Sequence, residues 1–225
     1  GRFADDIRFS GLLHAAFLRS PHAHARLTRI DVSRAQTFPG VRAVFTYDDL
    51  RPHLSCDRIP LRLPAGALKF DVDPYVLVRD ELTYVGEHIA LVVAESRAIA
   101  EEAASLIEIE AEPLPAVVDP VAGLLPDAPK ARLDCQDNLV AQHTLKYGDA
   151  NAAFAKAPHR IAQCFRLDKG GGHSVEARGI AARFDDTEER LTVWDGTQMP
   201  HRAKSILASA LGLEDDQVQI GRAHV

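Results

Sequence analysis

The chain is 225 residues long, 46% hydrophobic and 26% charged, with a formal net charge of −6. That length holds one large domain or two ordinary ones, and the composition is that of a soluble globular protein rather than a disordered or low-complexity segment. The acidic balance argues against nucleic acid as the main partner, and no run of about 18 apolar residues offers a transmembrane segment.

Residues 12–19 form a short apolar run bounded by Gly11 and Pro21, and 25–32 alternate with period two around Leu27 and Ile30. Both predict strands. Ser33 is expected to cap a short helix ending at Pro39-Gly40, and 41–47 predict a third strand. From 51 to 73 Pro, Arg and His dominate and periodicity fades, which predicts a long loop. Strands follow at 76–78, 82–84 and 88–94. Ser96 caps a helix to about Ile107, with Ile99, Ala103, Leu106 and Ile107 on one face, and 107–112 alternate as a further strand. Alternating strands and helices imply an α/β or α+β layer with helices over a sheet.

Pro113, Pro115, Pro120, Pro126 and Pro129 favour extended, semi-rigid backbone and mark a domain boundary. Beyond it, strands are expected at 139–147, 160–166, 177–184 and 191–194. A small helix capped by Asp149 or Asn151 runs through Phe154 to Pro158, and another spans about His201 to Leu211. The division is 1–120, a Pro-rich linker at 121–142, and an incomplete unit at 143–219 whose open strands cannot close a core alone. Ile220 to Val225 back-translate to a common sequencing-adapter sequence, so 220–225 are expected to be adapter-derived.

Cys56, Cys135 and Cys164 are odd in number and widely spaced, with no CxxC. They predict neither a zinc ribbon nor a disulfide framework; with no signal peptide ahead of Gly1, the expected location is cytoplasmic. His22 and His24 share a face if extended, but no third ligand is near, so a structural hydrogen-bonded pair is favoured over a metal site. Gly170, Gly171 and Gly172 read either as a hairpin turn or as backbone that approaches a ligand closely. His173, Glu176 and Arg178 follow as an acid–base cluster or an ion-pair network. Thr197, Gln198 and Pro200 open a helix, where Gln198 presents its amide to a ligand or merely belongs to a capped start.

Four blocks also carry a resemblance. They are the run from Arg2-Phe3-Ala4-Asp5-Asp6-Ile7 through Gly11 and Pro21-His22-Ala23-His24 to Leu27; Pro39-Gly40-Val41-Arg42-Ala43-Val44; Tyr84-Val85-Gly86-Glu87-His88; and Glu108-Ile109-Glu110 through Pro113-Leu114-Pro115 to Pro120. In this order they resemble the large subunit of the molybdenum hydroxylases, the xanthine dehydrogenase, aldehyde oxidase and aerobic carbon-monoxide dehydrogenase family. Gly148-Asp149 and Thr192-Val193-Trp194 with Thr197-Gln198-Met199-Pro200-His201 resemble the start of its molybdopterin-binding domain. The resemblance implies an α+β fold: an α/β hammerhead domain over 1–120, then an incomplete mixed α/β cofactor domain. It implies oxidative hydroxylation of an aldehyde, N-heterocycle or carbon monoxide, with Gly170, Gly171, Gly172 and Gln198 as cofactor-binding residues. No metal ligand is assigned, and the family's catalytic Glu lies beyond the chain. A family Gln expected on the glycine loop is absent. The cofactor is a molybdenum–pterin. Iron–sulfur clusters and FAD would sit on partner subunits or domains of a hetero-oligomer, a dimer of heterotrimers, acting on a small-molecule substrate. The alternative is a non-catalytic interaction module with a hammerhead fold.

Overall fold

The computed structural model describes residues 3–61, 65–167, 170 and 178–222. Its first half is organised around one strand buried on both faces. That strand, β5 (His88–Ala94), lies between β1 (His14–Arg19) and β3 (Val41–Phe45), antiparallel to each. Ala90 and Val92 point into a core with Val44, Ala103, Ala104 and Ile107, while Ile89 points into a second core with Ala25, Leu27, Val78 and Leu82. The run 89–94 is therefore apolar throughout, because both faces are covered. The first core is covered by α1 (Ser33–Gln36) and α3 (Arg97–Ser105). The second is covered by a sheet of β4 (Glu81–Leu82), β2 (Ala25–Asp31) and β6 (Glu108–Pro113), with β2 central. Leu18 and Ile30 touch both cores.

Local chemistry sets the element ends. Ser96 accepts from the Ile99 N–H at 3.3 Å and starts α3 as expected. The start of α1 differs: Val32 is the N-cap, and Asp31 does the capping, accepting from the Ser33 N–H at 3.0 Å and its hydroxyl at 2.6 Å. These bonds hold the Asp31 carboxyl below its ordinary range. The strand expected over 41–47 stops at Phe45. Thr46 and Asp49 form a capping box that turns the chain into α2 (Tyr47–Leu50). Residues 76–78 make no strand, although the Val78 N–H donates to the His88 carbonyl at 2.8 Å.

In the second half, α4 (Ala150–Lys156) begins at Asp149, which accepts from the Ala152 N–H at 2.9 Å. β7 (Ile180–Asp185) pairs antiparallel with β8 (Arg190–Asp195). After α5 (Pro200–Leu211), β9 (Val218–Arg222) pairs parallel to β8, with Ile220 beside Val193. Strands predicted at 139–147 and 160–166 do not form; among the described residues, a single bridge joins Ala141 to Leu68. Alternation fits these segments to a pleat, but no described strand lies alongside to take their hydrogen bonds. Leu145, Tyr147, Ile161, Phe165 and Leu167 are each more than 80% exposed.

The Pro-rich stretch is extended with short turns, as its composition requires, yet it is fastened down. The Leu114 N–H donates to the His24 carbonyl, and Asn138 donates to the carbonyls of Gly123 and Pro129. The Leu133 N–H donates to Glu81, and Arg132 reaches the Asp71 carbonyl. Limited proteolysis should accordingly cut first within 142–167 rather than 113–138; mass mapping of the earliest fragments checks this, and first cuts at 113–138 would contradict it.

The His88 ring packs against Phe17 at a tilt of 51°, with ring centroids 4.4 Å apart. Burial, then the Arg19 charge, hold its pKa below the ordinary value. Below about pH 6.5 the unfolded chain binds a proton that the folded chain resists, so this group withdraws stability as pH falls. Melting curves between pH 5 and 8 should show a smaller acid-side loss in His88→Gln than in the unaltered chain; identical slopes would count against the assignment.

Candidate functional site

β8 ends at Asp195, the chain crosses residues 196–199, and Pro200 opens α5. Pro at the first helical position needs no N–H and presets φ. The Thr197 hydroxyl accepts from the Met199 N–H at 3.1 Å, and the Met199 carbonyl accepts from the Ala203 N–H at 3.0 Å. Met199 is thus the N-cap, with Thr197 bracing it from two residues upstream. Gln198 stands between these braced neighbours, exposed and without a hydrogen bond to any described residue. Its amide is free to serve a ligand.

The register brings segments together that are far apart in sequence. Asp195 pairs with Ile180 on one side and Arg222 on the other. The chain entering β7 through Arg178 and Gly179, the loop carrying Gln198 and the end of β9 therefore share one edge. This is the carboxyl end of the parallel pair, where crossover folds collect ligands. The first-turn N–H groups of α5 lie here too and favour an anion. Gly170 is exposed, and a Cβ there would meet nothing within 4 Å. Gly171, Gly172, His173 and Glu176 lie outside the described residues. Arg178 is exposed.

The first half of the chain grips both stems of this loop. Phe9 packs on Trp194 with centroids 5.9 Å apart. Arg202 donates to the Leu61 carbonyl, and the Ser55 N–H donates to the Ala210 carbonyl at 2.9 Å. Composition predicted the long loop over 51–73, but nothing local pointed to Phe9, Ser55, Leu61 or Arg202 as contacts.

A second polar cluster lines a cavity of about 410 Å³ between the strands of the first half and residue 134. Arg58 and Arg132 both contact Asp134 at 2.6 Å, and Tyr75 lies under the guanidinium groups of Arg58 and Arg79, 4.1 and 4.9 Å from its centroid. Cys135 is buried nearby, and that burial pushes its thiol pKa up; Cys56 is half-buried and Cys164 exposed, all three as free thiols. His24 is buried with both ring nitrogens engaged, one at the Pro115 carbonyl and one at Glu81, each at 2.8 Å. Among the described residues no group of three or more His, Cys, Asp or Glu could hold a metal.

Comparison with known proteins decides what this framework is. Residues 1–115 match the family model described as aldehyde oxidase and xanthine dehydrogenase, a/b hammerhead domain, and residues 133–225 match the molybdopterin cofactor-binding domain. The chain belongs to the aldehyde oxidase and xanthine dehydrogenase family. It is 37% identical to the nicotine 6-hydroxylase large subunit of Paenarthrobacter nicotinovorans, over 98% of this chain and 26% of that protein. It is 33% identical to the carbon monoxide dehydrogenase large chain of Afipia carboxidovorans, over 98% of this chain and 28% of that one. The crystal structure of quinoline 2-oxidoreductase from Pseudomonas putida 86 superposes with a TM-score of 0.86 at 31% identity, covering 99% of this chain and 28% of that one. The chain thus spans about a quarter of the length of these relatives. The hammerhead of this family member is the body built on β5, and the β8–α5–β9 crossover lies within its cofactor-binding match.

Gly212 ends α5 in the left-handed region (φ 67°), and an added Cβ would fall inside contact distance of the Ser55 hydroxyl. Gly212→Ala should lower stability by about 1–3 kcal/mol, read from the denaturant midpoint; no shift would contradict both constraints.

Proposed function

We propose that residues 1–225 are the hammerhead unit and the opening of the cofactor domain of a molybdenum hydroxylase large subunit. The single observation that carries the reading is the order of the two family matches, with a loop bearing a free Gln198 amide inside the second. Consecutive matches to a hammerhead and a cofactor-binding domain favour an enzyme over a free-standing interaction module. The domain limits we adopt are 1–120, 121–142 and 143–219.

The residues present fit a molybdenum–pterin group. The exposed amide of Gln198 and the open first-turn N–H groups of α5 suit a polar, anionic cofactor. Gln198 would hold it from the β8–α5 loop, and Gly170, Gly171 and Gly172 would supply backbone on the approach to β7. When bound, the group supplies the two-electron acceptor for oxidative hydroxylation. This chain's share is to orient it, keep the Gln198 amide aimed and exclude water; the general base lies outside these residues. Relatives are named for nicotine, quinoline and carbon monoxide, and the 37% identity to the nicotine 6-hydroxylase subunit against 33% to the carbon monoxide dehydrogenase chain supports an N-heterocycle as substrate. Relatives named as subunits support a hetero-oligomer, and we assign iron–sulfur and flavin partners in a dimer of heterotrimers. Among the described residues no helix is long and apolar enough to cross a membrane; a cytoplasmic location is part of the proposal.

Co-expression of the full-length subunit with its iron–sulfur and flavin partners tests this. Molybdenum near one per large subunit and dye reduction with N-heterocycles are expected; a folded complex without molybdenum would defeat the reading. Gln198→Ala should lower turnover per bound molybdenum by about 10- to 100-fold, and unchanged turnover would remove Gln198 from the site.

A further inference from the structure

Residues 55–61 run antiparallel along α5. The Ser55 N–H meets the Ala210 carbonyl in its last turn, and Leu61 accepts from Arg202 in its first. The eight-step offset from Arg202 to Ala210 spans roughly 12 Å of helix, so one short segment bridges much of the element. At the far end it caps a carbonyl that the helix leaves open. At the near end it explains a charge that the helix itself disfavours. A guanidinium in the first turn opposes the macrodipole, where an anion would be stabilising; among the described residues its partner is the Leu61 carbonyl, 141 residues away in sequence. Arg202 lies four residues after Gln198. The intervening backbone is fixed by the Ala203-to-Met199 and Met199-to-Thr197 hydrogen bonds. The other stem of the same loop is held by Phe9 against Trp194.

We propose that residues 55–61 are a splint that sets the position of the Gln198 loop, and that Arg202 is its positioning residue. The hammerhead unit would then align the cofactor-facing edge as well as scaffold the subunit. The inference rests on the reading of Gln198 as cofactor-facing. Loosening the splint should misplace that amide without touching substrate, so it should act on the catalytic rate constant and spare substrate affinity.

The test uses the full-length enzyme with its partner subunits, comparing Arg202→Met and Arg202→Lys with wild type. Amide hydrogen exchange of residues 196–203 should rise about tenfold in Arg202→Met, while β5 and α3 exchange as in wild type. Turnover per bound molybdenum should fall by about tenfold or more with KM nearly unchanged. Arg202→Lys keeps a donor for Leu61 and should recover part of both. Wild-type exchange and turnover in Arg202→Met would overturn the proposal, as would a rise in KM at constant kcat or exchange that rises across the whole molecule. If Arg202→Met does not fold, Arg202→Gln, whose shorter side chain lacks the reach of the guanidinium, decides: a rise confined to 196–203 supports the splint, and no local rise overturns it. Absence of molybdenum from the wild-type complex would defeat the functional reading instead, and the exchange comparison in that same complex would still decide whether the splint holds the loop.

Discussion

A single buried imidazole ties together most of what surrounds it. The Pro115 carbonyl can only accept, so His24 Nδ1 donates to it, and His24 Nε2 then faces a Glu81 carboxyl that also accepts from the Leu133 N–H. Both ring nitrogens are thereby occupied. Through this arrangement the start of β2, the start of β4, the chain leaving β6 and the stretch before Cys135 depend on one side chain. Deleting either partner would strand a buried polar group, a cost of about 1–3 kcal/mol. The same geometry explains why the spacing of His22 and His24 was a poor guide to metal binding: neither nitrogen of His24 has a lone pair free for an ion.

The arginine-rich loop depends on a related economy. Exposed ion pairs contribute little, but Arg58 is largely covered and serves several partners at once: the Asp73 carbonyl, the Tyr75 hydroxyl, Asp134 and the Tyr75 ring face. Tyr47 adds an edge contact to Tyr75 at 5.4 Å and donates to Asp57, which holds the Asp57 carboxyl below its ordinary range. Side-chain contacts thus anchor a segment with almost no regular structure, whose residues 55–61 meet α5 through Ser55 and Leu61.

What was legible in the sequence follows from how local each determinant is. β5, α3 and β6 were readable because their burial pattern and caps lie within a dozen residues. The start of α5 was readable from Thr197 and Pro200 alone. β3 was overextended because Thr46 and Asp49 form a capping box that alternation does not register. The strands expected at 139–147 and 160–166 show the limit most plainly, since a pleat-compatible pattern is satisfied only when a neighbouring strand takes its hydrogen bonds. Gln198 was nameable from its place before a helix, whereas Arg202 was not, because the carbonyl that explains it is remote in sequence. Gly171 and Gly172 lie outside the described residues, so the glycine run contributes only Gly170.

The contact between α3 and its sheet is made of unusually small side chains. Ala100, Ala103 and Ala104 face inward, with Ala35, Ala90 and Ala94 also almost fully covered. Alanine offers little transfer free energy, but it allows backbones to approach closely, and dispersion across many short contacts replaces a few large hydrophobic ones. Alanine has no χ rotamer to change, so a larger side chain at Ala100, Ala103 or Ala104 could be housed only by moving α3 away from the sheet.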